Sequence, residues 1–170
     1  MIDLLPLSAA PPAAVEVLLD RAFGPDRFAR TAYKVRGDAV ALPRLSFAAL
    51  EDGALVGSIQ CWPVALHLDA GESICMVMVG PVAVSPERQQ GGLGRRLMDT
   101  ALAAAADTGE DRALCLIGDP EYYARFFGFS DAHTGRWRLP GPVERRRLLA
   151  RGANVPDAAG LLGPRVSMPA

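Results

Sequence analysis

Residues 82–97 read VAVSPERQQGGLGRRL, and this stretch decides the predicted fold. It opens with the end of an apolar segment, Ser73–Val84, whose lack of a polar face predicts a central strand covered on both sides. A polar, glycine-rich loop follows, and apolar periodicity from Leu93 predicts a helix to Thr108. Backbone N–H groups at a helix N-terminus are unsatisfied and carry the positive end of the helix dipole. The stretch therefore predicts a strand–loop–helix unit that binds phosphate.

The loop supplies room and charge for an anion. Three glycines remove the side chains that would block a phosphate: Gly91, Gly92 and Gly94. Three arginines stand close enough to add charge-assisted contacts: Arg88, Arg95 and Arg96. A Walker-type loop is excluded because no lysine follows the glycines. The dinucleotide pattern G-x-G-x-x-G is only half matched, since its third position is Leu97, and a purely structural glycine turn is a further alternative.

Upstream of the loop, local signals predict two helices and three strands. Apolar positions from Val15 to Phe23 recur at helical spacing, and Gly24-Pro25 ends that helix. The other upstream predictions are a strand at Ile2–Leu7, a short helix capped by Asp26 and ending near Val35, a strand at Arg44–Glu51, a tight turn at Asp52-Gly53, and a strand at Ala54–Leu68 with a bulge or edge at Pro63.

Downstream of the loop, the chain continues with a strand, a helix and a strand pair. Asp119-Pro120-Glu121 is a typical helix start, with an N-cap, a proline at the first position and an acid in the first turn, and Gly128 ends the helix. The remaining predictions are a strand at Ala113–Ile117 and a strand pair near Gly135–Leu139 and Arg145–Ala150, while residues 154–170 are left unplaced.

The order of these elements predicts an α+β protein. Three consecutive strands joined by tight turns favour antiparallel pairing, and the later strand–helix–strand unit favours one parallel crossover. The expected architecture is a mixed, mostly antiparallel sheet of about six or seven strands with about four helices. Because Pro81 cannot donate a ladder hydrogen bond, the fourth and fifth strands should splay apart near it.

Composition indicates one folded domain. The chain has 170 residues, of which 50% are hydrophobic and 22% charged, and its formal net charge is −1. These values predict a single domain over residues 1–170 and exclude a basic coat for nucleic acid, although they allow a local anion site. Lys34 is the only lysine, so the other 17 cations are arginines.

Cysteines, histidines and hydropathy constrain the site chemistry and the compartment. Cys61, Cys75 and Cys115 lie among apolar residues without a C-x-x-C pair, which predicts buried, reduced thiols. Two distant histidines supply neither a zinc site nor a catalytic triad, so no metal is expected. With neither a basic signal region nor an apolar run of about 18 residues, we expect a cytoplasmic protein that does not bind membranes.

The glycine loop resembles the coenzyme A signature of the GNAT superfamily of N-acetyltransferases, Q/R-x-x-G-x-G/A, at Gln89, Gly92 and Gly94. The flanking strand end, Ser85-Pro86 and Leu97 match as well, and the element order fits the fold of that family from about residue 2 to residue 150. A second segment, residues 118–129 (GDPEYYARFFGF), is similar to the tyrosine-bearing helix that ends in Gly-Phe, in the form of a bacterial subgroup of predicted acetyltransferases.

The resemblance implies an acetyl-CoA-dependent enzyme that transfers acetyl directly to a primary amine of a small molecule or protein. Backbone amides from Gln90 to Arg95 would hold the pyrophosphate, and the strand end would pair with the pantetheine arm and polarise the thioester carbonyl. The implied cosubstrate-binding set is Val82, Ala83, Val84, Arg88, Gln89, Gln90, Gly91, Gly92, Leu93, Gly94, Arg95 and Arg96. Members of the family often dimerise, so a homodimer is an open alternative.

The resemblance also implies a tyrosine that protonates the departing CoA thiolate. The usual position, four residues before the Gly of Gly-Phe, is Ala124 here, and Phe126-Phe127 looks like one extra residue. The role then falls to Tyr123, with Tyr122 as the alternative. The structural alternative is that both tyrosines only pack against phenylalanines one turn further along the helix.

Two other functions and the general base remain open at this point. A chain whose tyrosine is misplaced would be a non-catalytic acyl-CoA-binding module, and a dinucleotide-binding oxidoreductase would prefer NAD to CoA. Glu51, Glu72 and His67 flank strands that could line the acceptor side, although each also fits a solvated turn or edge. The sequence does not identify the acceptor amine.

Overall fold

The computed structural model describes residues 1–165, which form a mixed sheet with helices. The strands are β1 (Ile2–Pro6), β2 (Phe47–Glu51), β3 (Ala54–Leu68), β4 (Ser73–Val84), β5 (Leu114–Ile117), β6 (Trp137–Arg138), β7 (Leu148–Arg151) and β8 (Gly160–Pro164). The α-helices are α1 (Pro12–Phe23), α2 (Thr31–Arg36), α3 (Leu93–Asp107) and α4 (Pro120–Phe127). These elements confirm the predicted α+β class.

Hydrogen bonds order the strands β1-β2-β3-β4-β5-β7, and β8 pairs with both β3 and β6. The β1–β2, β2–β3, β3–β8 and β5–β7 pairs are antiparallel. The β4–β5 pair is parallel, as the strand–helix–strand pattern predicted. Its register covers only Val77 with Leu114 and Met78 with Cys115, so the described pairing to β5 stops before Gly80.

The chain divides into two compact units. The first contains residues 1–28, 41–61 and 80–108, which hold β1, α1, β2, the start of β3, the end of β4 and α3. The second contains residues 29–40, 62–79 and 109 onward, which hold α2, the rest of β3, the start of β4 and the elements from β5 to β8.

The first unit is a three-layer structure. Val15, Leu18 and Leu19 of α1 pack with Ala48 of β2 and Ala83 of β4 in one apolar cluster. The β2–β3 register pairs Ala48 with Ser58 and Ala49 with Gly57, and neighbouring residues of a strand face opposite sides of the sheet.

On the other face of the same unit, α3 lies directly against β3. A Cβ on Gly57 would stand 3.1 Å from side-chain carbons of both Leu93 and Leu97. The absence of a side chain at this position therefore allows α3 to approach the strand closely.

Two upstream predictions need correction. The short helix begins at Thr31, after a separate 3-10 turn at Arg27–Ala29, so Asp26 does not cap it. The strand predicted from Arg44 starts at Phe47, because Pro43–Leu45 forms another 3-10 turn. Pro63 lies inside β3 between the two described registers on that edge, since pairing with β2 ends at Ile59 and pairing with β8 begins at Val64, which agrees with the predicted edge position.

The predicted C-terminal strand pair is wrong in its partners. β6 and β7 do not pair with each other: β7 pairs with β5, and β6 pairs with β8. The arginines at 145–147 form a 3-10 turn rather than a strand. β8 lies in the segment that the sequence left unplaced, and the last five residues of that segment lie outside the described residues.

In the second unit, an exposed ion pair fastens the β3–β4 turn to β6. Both carboxylate oxygens of Asp69 accept hydrogen bonds from Arg138, at 2.8 and 2.9 Å. Hydrogen bonding from Arg138 lowers the pKa of Asp69. None of the helices in residues 1–165 combines the length and hydropathy needed to cross a membrane.

Arg27 provides a stability test in the first unit. Its guanidinium is only 2% exposed and donates to Glu16 at 2.6 Å and Asp20 at 3.0 Å. We expect Arg27→Ala to lower the free energy of unfolding by about 2 kcal/mol, less than for a fully buried pair because both carboxylates stay solvated. Urea denaturation monitored by circular dichroism measures this change.

The matched control is Arg21→Ala, which breaks the exposed ion pair between Arg21 of α1 and Glu87. It should cost less than about 1 kcal/mol. Equal losses in the two variants would contradict the assigned role of Arg27.

Candidate functional site

The loop between β4 and α3 has the geometry of an anion site. Ser85, directly after β4, donates its N–H to Val56 O at 2.8 Å, which anchors the start of the loop to β3. A 3-10 turn at Pro86–Arg88 follows, and Gln89 and Gln90 are exposed. Gly92 then takes a left-handed conformation (φ 75°, ψ 14°) as the N-cap of α3.

The first turn of α3 has no side-chain cap. Among the described backbone hydrogen bonds, none satisfies the N–H groups of Leu93 and Gly94, while the Arg96 N–H donates to Gly92 O at 3.1 Å. Unsatisfied N–H groups at a helix start, with no acidic side chain in the first turn, present positive potential. The arrangement suits an anionic ligand.

The glycines of this loop differ in what the fold requires of them. Gly92 needs its lack of a side chain, because its φ is positive. Gly91 and Gly94 have ordinary φ angles, and a Cβ on either would meet no atom closer than 3.8 or 3.9 Å. The protein itself therefore leaves room for a methyl group at both positions, so their small size is best explained by the close approach of a ligand.

Two of the arginines near the loop, Arg88 and Arg96, have different surroundings. The Nε of Arg88 donates to Glu51 Oε1 at 2.9 Å, and this pairing raises the pKa of Arg88. Arg96 makes one long contact, 3.5 Å, to the backbone oxygen of Ile2. A phosphate role for Arg88 would thus require exchange of an existing ion pair, whereas Arg96 is held only weakly.

Packing against α1 on one face and α3 on the other orients the end of β4. Ala83 is buried in the α1 cluster, and the flanking Val82 and Val84 lie on the α3 side, where their methyl groups stand 4.0 and 3.9 Å from the Cβ position of Gly94. Leu93 is buried as the first apolar contact of α3. All twelve residues predicted to bind the cosubstrate thus lie within the first unit.

In the second unit, α4 places Tyr123 against the end of β5. Asp119 caps this helix as predicted, by accepting a hydrogen bond from the Glu121 N–H at 3.0 Å. A Cβ on Gly118 would lie 2.5 Å from the Tyr123 ring, so the ring lies close against this glycine. Tyr122 packs edge-on against Phe126 and Phe127.

Burial raises the pKa of Tyr123 to about 12, and the neighbouring Tyr122 contributes a smaller increase. Since its ordinary value is ~10, the hydroxyl of Tyr123 remains protonated at every pH at which the protein would work. Both tyrosines belong to one aromatic cluster, in which their ring centroids lie 4.9 Å apart, and Tyr123 in addition contacts Gly118 at the end of β5.

Two of the three base candidates have partners. Glu51 is engaged by Arg88. The Nε2 of His67 lies 2.8 Å from Pro164 O, which can only accept, so Nε2 carries a proton, while Nδ1 lies 2.8 Å from Ser73 Oγ. Glu72 lies in the exposed β3–β4 turn. None of the three is assigned as the general base.

Sequence reasoning missed three buried polar side chains. Ser58 Oγ and Gln60 Oε1, two residues apart on β3, have no hydrogen-bond partner within residues 1–165. Arg36 is 7% exposed and stacks between the rings of Tyr33 and Trp62, 3.8 Å from each centroid. Nothing in local periodicity signals these groups, because their burial arises from elements distant in sequence.

The cysteine prediction was right for two positions and wrong for the third. Cys61 and Cys115 are buried, and burial raises the pKa of Cys115 to about 12. Cys75 is exposed, because the first residues of β4 are not covered on that face. In residues 1–165 no group of three or more His, Cys, Asp or Glu side chains is placed to hold a metal ion.

A short parallel strand pair, an uncapped glycine-rich helix start and a tyrosine-bearing helix are the features of this fold that resemble CoA-dependent acyltransferases. The profile described as "Acetyltransferase (GNAT) domain" matches residues 16–131, more than half of the chain. The chain belongs to the GNAT acetyltransferase family, as its glycine loop and tyrosine helix predicted.

A curated relative supports this assignment. An "Uncharacterized N-acetyltransferase" of Streptomyces griseus is 30% identical over 112 residues, which is 66% of this chain and 26% of that protein. The chain therefore spans about a quarter of the length of this relative.

Solved structures with the same fold include two that contain the cosubstrate or its product. The GNAT family N-acetyltransferase YhbS of Escherichia coli, in complex with CoA, is 25% identical with a TM-score of 0.71, covering 97% of this chain and 89% of that one. A GNAT family acetyltransferase of Brucella melitensis, in complex with acetyl-CoA, is 25% identical with a TM-score of 0.65, covering 94% and 93%.

Gly91 and Gly92 provide a matched test of the loop. We expect Gly91→Ala to change the free energy of unfolding by less than about 0.5 kcal/mol but to weaken CoA binding at least about tenfold, because its methyl group would enter the space left for the ligand. Calorimetric titration with CoA measures the affinity, and urea denaturation measures the stability.

In contrast to Gly91→Ala, Gly92→Ala should lower the free energy of unfolding by about 1–2 kcal/mol, because alanine is strained at positive φ. If Gly91→Ala bound CoA as tightly as the wild type, the proposed position of the ligand at this loop would be wrong.

Proposed function

We propose that this protein is an acetyl-CoA-dependent N-acetyltransferase that transfers acetyl directly to a primary amine in a ternary complex. The observation that carries the proposal is the start of α3: it is uncapped, and glycines stand beside it where the fold has room for larger residues. CoA in the E. coli relative and acetyl-CoA in the Brucella relative support the choice of ligand.

Binding would use backbone more than side chains. The N–H groups from Gln90 to Arg95 would hold the pyrophosphate at the positive end of α3, and Arg96 would add charge. Main-chain groups of Val82 and Val84 would pair with the pantetheine amides, as an added strand does. A backbone N–H of β4 would then donate to the thioester oxygen as negative charge develops on it.

The chemistry requires one attack and two proton transfers. The nitrogen of the neutral amine attacks the thioester carbonyl carbon, the C–S bond breaks, and CoA leaves as a thiolate. The amine proton passes to water, since no side chain is assigned as base, and Tyr123 supplies the proton that the sulfur gains.

The high pKa of Tyr123 determines how it would act. A hydroxyl with a pKa of about 12 is a weaker acid than a CoA thiol with a pKa of ~8.5, so complete proton transfer to the thiolate is uphill by about 5 kcal/mol. Tyr123 would therefore stabilise the departing sulfur chiefly as a hydrogen-bond donor, and whenever its proton does pass to the sulfur, the phenolate takes a proton from water at once.

The packing of Tyr123 also favours a second candidate function, that of a non-catalytic acyl-CoA-binding module. If Tyr123 serves only in the packing against Gly118 and Phe129, the chain would bind acyl-CoA without transferring the acetyl group. This non-catalytic module would keep the α3 site and show no thioester loss with any amine.

Three further properties belong to the proposal. The chain would act as a single acyltransferase domain over residues 1–170, because the family match at residues 16–131 includes parts of both compact units. A homodimer and a cytoplasmic location, which the sequence analysis raised, remain predictions.

The proposed activity is tested by incubating the protein with acetyl-CoA and a library of primary amines. Loss of thioester absorbance is the better readout, because the exposed Cys75 would itself react with a thiol dye. We expect thioester loss that depends on one class of amine, and thermal stabilisation by acetyl-CoA but not by NAD. Stabilisation by NAD alone would show that the protein is a dinucleotide-binding protein instead.

Tyr123→Phe isolates the proton donor. We expect kcat to fall about 100-fold while the KM for acetyl-CoA changes less than about twofold, because the hydroxyl would act only as the sulfur departs. Tyr122→Phe, which keeps the aromatic cluster, should retain kcat within about threefold. An unchanged kcat in Tyr123→Phe would remove this residue from the mechanism.

The pH profile offers an independent check. Because the pKa of Tyr123 is raised to about 12, its hydroxyl stays protonated as the pH rises, and kcat should not decline between pH 7 and about pH 10. A loss of kcat centred near pH 8–9 that disappears in Tyr123→Phe would contradict the assigned role.

A further inference from the structure

The second unit contains an open cavity of about 630 Å³ at the start of β4. Polar and charged side chains on its wall are Ser73, Cys75, Glu110, Arg112, Asn154 and Arg165. The cavity uses none of the residues assigned above to acetyl-CoA or to proton transfer. Its volume lies in the ordinary range for small-molecule sites, about 300–1,000 Å³.

The base of the cavity lies where β4 and β5 join, and two apolar residues line it there. Val77 and Ala113 line it, are both buried, and are linked by a 3.0 Å hydrogen bond from the Val77 N–H to Ala113 O. Ser73 and Cys75, on the open face of β4, are exposed. The site thus combines an apolar base with polar groups at its rim, as ligand pockets do.

Two guanidinium groups give the cavity its charge, against one carboxylate, Glu110. Arg112 is exposed, and within residues 1–165 its guanidinium makes no described hydrogen bond or ion pair. Arg165 donates through Nη2 to Met76 O at 2.8 Å and through Nε to Val64 O at 3.3 Å. With respect to the described part of the chain, donors on both arginines therefore remain available.

Backbone contacts fix the main chain of Arg112 and the side chain of Arg165. The carbonyl oxygen of Arg112 accepts from the Asn154 N–H at 2.8 Å, and a Cβ on Gly152 would lie 2.2 Å from the same oxygen. Only glycine allows the chain to approach Arg112 this closely. Two strand carbonyls accept hydrogen bonds from the Arg165 guanidinium, so the position of this cation at the rim is preorganised.

We infer that this cavity binds a small organic acid, with its carboxylate on Arg112 and Arg165 and its hydrocarbon part against Val77 and Ala113. Guanidinium groups prefer carboxylates in a two-pronged geometry, and the apolar floor favours a carbon skeleton over a bare inorganic anion. The inference goes beyond the proposed acetyl transfer and does not depend on it.

Cys75 is a built-in reporter for this site. It lines the cavity and is exposed, whereas Cys61 and Cys115 are 2% and 0% exposed, so an alkylating reagent will modify Cys75 first. Iodoacetate and iodoacetamide form the same type of thioether with loss of iodide, but only iodoacetate carries a carboxylate. The ratio of their rates removes the intrinsic reactivity of the thiol from the comparison.

We expect the iodoacetate-to-iodoacetamide rate ratio at Cys75, followed by intact mass, to exceed that of a capped peptide of residues 73–77 by about threefold or more, because a positive cavity concentrates anions. Arg112→Gln and Arg165→Gln should each lower this ratio toward the peptide value. Arg125→Gln, which removes an arginine outside the cavity, should leave the ratio unchanged.

Hexanoate tests the organic acid itself. It should protect Cys75 from iodoacetamide and shift the backbone NMR signals of Val77 and Ala113, whereas neutral hexanamide and inorganic phosphate should do neither. A wild-type rate ratio equal to that of the peptide, or equal protection by hexanamide, would overturn the proposal. Equal protection by phosphate would also overturn it, since the site would then be a general anion site.

Discussion

Main-chain hydrogen bonding along β4 is the constraint on which the rest of the structure depends. This strand spans Ser73–Val84, yet its described pairing with β5 covers only Val77 and Met78. Because this parallel register is so short, both ends of β4 lie outside it. The end of β4 supports acetyl-CoA binding in our proposal, and its start lines the organic-acid cavity.

The start of α3 shows how conformational and ligand requirements can be separated. A glycine with a positive φ, such as Gly92, is explained by backbone sterics alone. Gly91 and Gly94 have no such explanation, because the free protein has room for a side chain at each. The glycine content of one loop thus has two physical causes, and only the second one concerns a ligand.

Charge in this molecule is organised locally. The net charge of −1 combines exposed ion pairs, such as Arg138 with Asp69, with exposed arginines that make no described side-chain contact within residues 1–165, such as Arg112. Pairing determines which arginines can serve a ligand: Arg88 stands beside the glycine loop in sequence but is held by Glu51. Proximity in sequence therefore gives a poor measure of availability, since the partner comes from another strand.

Local signals alone predicted the helix ends at Gly24 and Gly128, the Asp119 cap, the Asp52-Gly53 turn and the full extent of β3 and β4. Each depends on interactions within a few residues, so sequence carries the information directly. The family assignment began as a resemblance of Gln89, Gly92 and Gly94 to a known signature, and these residues lie within one local structure.

Only the tertiary structure decided the partners of β6, β7 and β8, the exposure of Cys75, and the packing of Tyr123 on Gly118. These features depend on which distant segment arrives beside each residue. An apolar strand such as β4 has the same composition whether its face is covered or open, so the sequence by itself determined the strand, and long-range packing determined which of its residues a ligand can reach.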